Sequence, residues 1–430
     1  MSKIFDYLLT LLGIIKYYTF AKRFQFSDRG KVELYQFEKL KILLVESQES
    51  VPYYKELFSR LNFNPKYDFN CLSDLNKIPV LSKDIVKKNR DLFINKYYLN
   101  KSLKFKTSGS SGVPLEVFVH PKQWIMEQAV IWRHWKWGGY NFRDSLAMVR
   151  SYVPENIDKL WKTNYITNFT LYSPFHLSDD NIYRYLESMI RNNVVILRGY
   201  PSSLLIISDY VLRTNCKIPK IKLILTASEV LNSNDRVKIE MAFNAKIFNH
   251  YGLAEQVVMM GECEKHEGLH NYDEYGYLEL VDTDNPSIKK IVGTNLNNLT
   301  MPLIRYDTGD LAIVEKINCS CGRESILVKN IIGRSDLNII TKAGHKIPTV
   351  NFYTLFEHFA EVSRWQMVQK SLTLIKIILL TDNISISRLD ELKGELGKRL
   401  SDDIEVEFLI NEQFVMKNEG KINPFVSEIF

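Results

Sequence analysis

The sequence predicts an α/β protein, with a large multi-sheet N-terminal domain over residues 1–333 and a small α+β C-terminal domain over 334–430. Three observations predict it. Short apolar runs alternate with helix-like segments between Val194 and Asn249, which is the signature of an α/β body. From Tyr277 to Lys316 the pattern turns β-rich. The tail reads strand (Leu372–Leu380), helix (387–400), strand (Ile404–Ile410), a unit of its own.

In chain order, the first segment is Ile4–Phe20, mostly apolar but interrupted by Asp6 and Lys16. A spanning helix needs about 20 predominantly apolar residues, so no transmembrane segment is expected. Two readings stand: a helix packed on the body, or an interfacial helix resting on the inner face of a membrane. Residues 31–60 mix charged and apolar positions at helical spacing. A charge-rich stretch, 83–93, follows Pro79. Lys101–Lys106 and Leu115–His120 alternate polar and apolar, as two strands joined by a Ser/Gly loop. Val194–Arg198 reads as a buried strand that Gly199-Tyr200-Pro201-Ser202 turns into a helix. Ile221–Thr226 is a strand, Ser233–Phe243 a helix, and Ala245–Asn249 the return into the sheet. The turn-like Gly333-Arg334-Ser335-Asp336 marks the domain boundary.

Composition narrows the partners. Across 430 residues, basic side chains exceed acidic ones by six and no Lys/Arg run occurs. That suits a small anionic substrate and gives no support to nucleic-acid binding. Five cysteines in so long a chain do not make a disulfide framework. No cleavable signal peptide is evident, so the cytoplasm is the expected compartment.

Three segments carry groups suited to a nucleotide. Thr107-Ser108-Gly109-Ser110-Ser111-Gly112-Val113-Pro114 lies between two strands. Its glycines let backbone N–H groups turn inward, and its hydroxyls add donors, as a polyphosphate requires. It is not a Walker loop, because no Gly-Lys-Ser/Thr follows and a strand comes next. His250-Tyr251-Gly252-Leu253-Ala254-Glu255 follows a strand. An aromatic ring there can stack on a base, and the carboxylate four residues on can bind Mg²⁺. In Arg305-Tyr306-Asp307-Thr308-Gly309-Asp310, a carboxylate after a glycine turn can accept both hydrogen bonds of a ribose diol, while Asp307 caps the turn.

A fourth constellation has metal-ligand chemistry. Cys263-x-x-His266-x-x-x-His270 and Cys319-x-Cys321 offer three thiols and either of two histidines, enough to close a tetrahedral zinc site. Free buried thiols are the competing reading. Near the end, Glu419-Gly420-Lys421-Ile422-Asn423-Pro424 presents a lysine that gains meaning only beside the other motifs.

Together these motifs resemble the adenylate-forming superfamily, and more closely its phenylacetate–CoA ligase and CapK-type branch, found in capsule and surface-polysaccharide clusters. The resemblance runs from about Lys104 to Lys421 with the motifs in family order: TSGSSGVPLEV, TASE, HYGLAE, NNLTMPLIRYDTGDLA followed by CSCGR, GRSD and EGK. It implies that Thr107, Ser108, Gly109, Ser110, Ser111 and Gly112 hold the phosphates of ATP, and that Ser228 and Glu229 line the adenine side. It implies that Tyr251, next to Gly252, stacks on adenine, that Glu255 binds Mg²⁺, and that Asp310 holds the ribose with Arg334 nearby. Asp336 would be the hinge and Lys421 the terminal catalytic lysine. The family's metal ligands fall on Cys263, His270, Cys319 and Cys321. Two departures are visible: Leu115 stands where many members carry a lysine after the loop proline, and GKINPFV differs from the family's usual basic ending around the terminal lysine.

The implied reaction is attack of a carboxylic acid on the α-phosphate of ATP, giving an acyl-adenylate and pyrophosphate. The protein positions the reactants and neutralises charge. The small domain then turns about Asp336 and an acceptor takes the acyl group: the thiol of CoA, or an amine or sugar in surface-polysaccharide biosynthesis. Trp132, His134, Trp135 and Trp137 are either an acyl pocket or an aromatic core face. The competing functions are a catalytically inactive adenylate-fold partner and a zinc-organised structural module of a polysaccharide biosynthesis complex.

Overall fold

The computed structural model describes residues 3–106, 115–152, 154, 159–315, 319–334, 338–342, 346–349, 352, 355–356, 358–397, 400, 403–417 and 421–429. For 3–9, 334, 338, 346, 348, 417, 421 and 422 it describes the backbone alone. The fold is mixed α/β with several sheets, as the sequence predicts. Compactness divides it into two units, each made of two chain segments: Met1–Gly139 with Phe248–Ile331, and Tyr140–Ile247 with Ile332–Phe430.

In the first unit, the helix Lys3–Phe24 gives way at Gln25–Ser27 to Arg29–Ser50. Asp28 caps the second helix, its carboxylate accepting from Lys31 N at 2.9 Å. That helix stops at Val51 because Pro52 cannot continue it but can open the next, Pro52–Arg60. The sequence expectation of one helix over 31–60 is therefore two. Pro121 likewise opens the helix Pro121–Trp137, capped by His120 Nδ1. The first helix lies against this one so closely that a Cβ on Gly13 would sit 3.3 Å from Ile125 Cδ1.

Strands Gly276–Asp282, Ile288–Asn295 and Tyr306–Ile313 form an antiparallel meander. Beside it in sequence, Leu327–Val328, Leu269–Asn271, Met259–Glu262 and Ile247–Gly252 pair antiparallel in that order. The core closes over Leu40, Leu44, Tyr54, Phe58, Val257, Val258, Leu303 and Tyr306.

In the second unit, Leu146–Val149 runs parallel to Phe169–Tyr172 on one side and Ile196–Gly199 on the other. Leu223–Ala227 extends the sheet in parallel, and Trp161–Asn164 edges it antiparallel. Parallel order requires crossovers, supplied by Asp179–Arg191 and Pro201–Thr214, and the helix Ser233–Phe243 follows Leu223–Ala227. The last two end on Asn215 and Asn244 with φ of 48° and 47°, the left-handed stop asparagine tolerates.

The tail builds a four-stranded sheet. Val362–Ser371 and Leu374–Thr381 pair antiparallel, flanked in parallel by Phe425–Ser427 and Glu405–Ile410. The helix Ile386–Gly397 covers it through Leu392 and Leu396 against Ile375, Ile377 and Leu379. This is the expected strand–helix–strand tail with two strands more, Val362–Ser371 and Phe425–Ser427. Within this unit Arg364 Nε lies 3.6 Å from Asp235 Oδ2, both buried.

Candidate functional site

Two strands of the first unit carry the central groups. Ile247–Gly252 presents Tyr251, and Tyr306–Ile313 presents Asp310 after Gly309, whose φ of 74° falls where the strand's pairing register shifts. Asp307 Oδ1 accepts from Gly309 N at 2.9 Å, the capping role read from the sequence. Tyr251 Oη donates to Asp310 Oδ2 at 2.6 Å. Burial, and then the charge of Asp310, push the phenol well above its ordinary range, so it stays a donor.

Glu255 is buried beside them. Its Oε1 accepts from Tyr306 Oη at 2.9 Å and from Lys83 Nζ at 3.1 Å. Lys83 is a residue that sequence reasoning missed. It opens the helix Lys83–Lys88, capped by Ser82. The preceding residues deliver it: Leu81 N donates to Arg305 O at 2.8 Å and Asp307 N donates to Leu81 O at 2.9 Å. Arg305 adopts φ 52° and clamps this crossing, its guanidinium on Glu279 at 2.8 Å and on Ile78 O at 2.6 Å.

The loop Thr107–Pro114, with Thr107, Ser108, Gly109, Ser110, Ser111 and Gly112, lies outside the described residues, as does Asp336. Its two flanking strands are present, Leu103–Lys106 pairing antiparallel with Glu116–Val119. Three cations meet Glu116 there: Lys104 at 2.7 Å, Arg90 at 2.7 Å and Lys106 at 3.5 Å. Lys104 first of all holds the Glu116 carboxyl below its usual range. Arg90, Lys87, Lys88 and Leu115 line a cleft of about 420 Å³.

Ser228 and Glu229 belong to the second unit. Ser228 takes φ 74°. Glu229 accepts from Ser202 N and Ser202 Oγ, both at 2.9 Å, at the first turn of the helix Pro201–Thr214. A carboxylate at a helix N-terminus satisfies its free N–H groups. The backbone of Arg334 ends the strand Asn330–Arg334, and that of Lys421 pairs with Lys417 in a two-residue ladder.

The thiols converge. The ligand atoms of Cys263, His270, Cys319 and Cys321 all lie within 4.8 Å of one another. Cys263 Sγ is 3.5 Å from Cys319 Sγ, and Cys321 Sγ is 3.4 Å from His270 Nε2. Tetrahedral zinc with these donors separates them by roughly 3.5–3.8 Å, so the set fits that ion. His270 Nδ1 meets Ser325 Oγ at 2.9 Å, which leaves Nε2 facing the sulfurs. His266 is not in the cluster; it stands edge-on to Phe248 with Nδ1 3.5 Å from Glu262.

Burial first, then Arg323, push His270 down to about 4, which favours the neutral imidazole that a metal ligand requires. Burial raises Cys263 and Cys319. Cys321 is also penalised by burial, but the backbone and guanidinium of Arg323 outweigh it and lower the thiol. Lys265 N donates to Cys263 Sγ at 3.4 Å, and Ser320 N to Glu267 at 2.9 Å, beside the clustered thiols. Arg323 also reaches Glu264 at 3.1 Å and lies over the Trp137 ring at 4.2 Å.

On the helix Pro121–Trp137, His134 and Trp135 are buried and Trp132 and Trp137 half-buried. His134 Nε2 contacts Glu262 O at 3.1 Å, and Trp137 Nε1 donates to Gln25 at 2.8 Å. His134 and Trp135 are thus part of the core, and Trp137 packs against the cluster of Ala21, Met126 and Tyr272.

No family model matches the sequence. The chain is 24% identical over 416 residues to "Protein CapK" of Staphylococcus aureus, covering 94% of this chain and 89% of that one. Over 123 residues it is 32% identical to phenylacetate-coenzyme A ligase of Thermus thermophilus, 26% of this chain and 28% of the relative. Among solved structures it is similar to 2-hydroxyisobutyryl-CoA ligase in the postadenylation state with R3-HIB-AMP. There the TM-score is 0.68 at 14% identity, covering 94% and 91% of the two chains. Anthranilate CoA ligase AuaEII with anthranoyl-AMP gives a TM-score of 0.50 at 12% identity, covering 90% and 79%. These structural likenesses establish the fold.

Proposed function

We propose that this chain, which belongs to the adenylate-forming superfamily in its phenylacetate–CoA ligase and CapK-type branch, is an acid ligase. It activates a carboxylic acid with ATP to an acyl-adenylate, releases pyrophosphate, and passes the acyl group to an acceptor. The observation that carries this reading is the grouping of Tyr251, Asp310 and Glu255 on adjacent elements of one unit, with Lys83 on the buried glutamate.

In this reading the Tyr251 ring supports adenine while its hydroxyl keeps Asp310 oriented toward the ribose diol. Glu255, which accepts from Lys83 and Tyr306, would hold Mg²⁺. The ion, when bound with ATP, neutralises charge on the phosphates and the leaving pyrophosphate. Thr107, Ser108, Gly109, Ser110, Ser111 and Gly112 hold the phosphates, and Ser228, Glu229 and Arg334 complete the nucleotide site. Lys421 acts from a small domain, 334–430, which turns about Asp336 against 1–333. The acid carboxylate attacks in line; no protein nucleophile takes part.

CoA is the acceptor that the relatives' names support, since three of those above are CoA ligases. An amine or sugar in surface-polysaccharide biosynthesis is the second reading, favoured by the near full-length match to CapK. Cys263, His270, Cys319 and Cys321 hold a structural zinc. No helix among the described residues is long and apolar enough to cross a membrane; peripheral contact through residues 4–20 rests on the exposed Leu12, Ile15 and Lys16 of the first helix.

ATP–pyrophosphate exchange across a panel of carboxylic acids tests the proposal. Exchange that depends on one class of acid supports it and names the substrate. ATP binding without exchange for any acid would instead favour an inactive binding partner.

A further inference from the structure

The residue after Glu255 is conformationally costly. Gln256 has φ 54°, a left-handed backbone that a long side chain rarely adopts. Such strain persists only where the surroundings over-determine it, and it gathers at functional sites. Gln256 is 2% exposed. Its N–H donates to Leu253 O at 3.1 Å. Its carbonyl accepts from Gln123 Nε2 at 3.0 Å. Its own Nε2 donates to Glu127 Oε2 at 2.7 Å.

Gln123 and Glu127 are one helical turn apart on Pro121–Trp137, so both face the same side. Gln123 is fully buried, and its Oε1 accepts from Asn297 N at 3.1 Å. The start of the helix is tied to the same segment, His120 N donating to Asn298 Oδ1 at 2.8 Å. Gln256 is thus gripped by backbone and side chain at once, from a helix that is itself anchored.

We propose that Gln123 and Glu127 are positioning residues: they lock the Gln256 backbone and thereby aim the Glu255 carboxylate. This rests on the reading above that Glu255 serves Mg²⁺·ATP. The grip matters because Glu255 is fixed at its tip by Lys83 and Tyr306 through a single oxygen, Oε1. The second oxygen takes its direction from the backbone. A shift of about 1 Å at a reacting or metal-binding group is enough to cost about 100-fold.

The test uses the full-length protein with Gln256→Gly, Glu127→Ala and Glu127→Gln. Glycine accommodates φ 54° without strain, so Gln256→Gly removes the side-chain anchor while leaving the fold in place, and it carries the test should Glu127→Ala not fold. The readouts are the Mg²⁺ concentration for half-maximal pyrophosphate exchange and Mn²⁺ binding to the protein–ATP complex followed by electron paramagnetic resonance. Gln256→Gly and Glu127→Ala should raise the Mg²⁺ requirement and weaken Mn²⁺ binding about tenfold, with KM for the acid within twofold of wild type. Glu127→Gln keeps an oxygen facing Gln256 and should return both values to within threefold. Unchanged metal requirements in Gln256→Gly would overturn the proposal. A wild-type protein that neither exchanges pyrophosphate nor binds Mn²⁺ with ATP would refute the ligase reading first, and the positioning role with it.

Discussion

Replacing Asp310 by alanine separates binding from folding, and the structure sets both magnitudes. Asp310 receives the Tyr251 hydroxyl at 2.6 Å, and in the ligase reading it also grips the two ribose hydroxyls. Hydrogen bonds to a charged group contribute about 1.5–3 kcal/mol each. Losing two should cost at least about 3 kcal/mol of ATP binding, more than 100-fold in Kd. The same change takes the charged acceptor from a buried phenol, a destabilisation of about 1–3 kcal/mol. Tyr251→Phe removes that donor but keeps the ring, so ATP affinity should fall less than tenfold. The double variant should unfold more easily than wild type by less than the sum of the singles, because the two residues share one interaction. Calorimetric ATP titration and urea unfolding on the four proteins read both scales. An Asp310→Ala protein that binds ATP within threefold of wild type would falsify the ribose assignment.

Three other outcomes are expected. Protein purified without added metal should hold one zinc by elemental analysis, and Cys321→Ser should lose it with a lower melting temperature; a native protein whose Cys263, Cys319 and Cys321 all titrate as free thiols would exclude the site. Burial pushes the Asp273 carboxyl from 3.8 up to about 6, against the Asn271 amide and with the help of Glu274; the folded state therefore holds this proton more tightly than the unfolded chain, and the resulting stability is complete below about pH 4 and lost as pH rises through about 6. Asp273→Asn should thus gain up to about 3 kcal/mol above pH 7 and flatten the dependence between pH 4 and 6, and an unchanged urea-unfolding profile over pH 4–8 would count against it. Lys421→Ala should slow acyl-adenylate formation about 10²–10³-fold, leave ATP affinity little changed, and spare transfer from a chemically supplied acyl-adenylate; equal loss of both half-reactions would make Lys421 structural.

Local signals made several elements legible. The helix Ser233–Phe243 was read at its observed limits, between Asn232 and the left-handed Asn244. Tyr251 and Asp310 were singled out by local pattern, an aromatic ring four residues before a carboxylate and a carboxylate after a glycine; both lie within strands, Ile247–Gly252 and Tyr306–Ile313. Between His266 and His270 the spacing could not choose. The choice is made by the strand Leu269–Asn271, which seats His270 between Gly261 and Leu327, and such pairing is invisible in a local window. Lys83 was missed for the same reason, its partner lying 172 residues away. Val362–Ser371 was missed because its interior positions include Gln366 and Gln369, both fully buried and hydrogen-bonded to Val415, Asn423 and Ile340. Buried glutamines erase the apolar alternation that marks a strand. The break between two helices at Val51 was written in Pro52 and could have been read.

The first unit is assembled from segments made far apart in time. Gln36 Nε2 donates to Asp273 O, Tyr54 Oη to Pro302 O, and Arg29 N to Glu324 Oε2. During synthesis at about 5–20 residues per second, Gly139 precedes Ile331 by roughly 10–40 s. Throughout that interval the apolar faces of the first helices, with Ala21, Leu40, Leu43 and Leu44, have no completed core to enter. A nascent chain stopped short of Ile331 therefore displays a ready surface for a chaperone or for another unfinished chain. The passage to safety comes only when the last strands of the unit emerge.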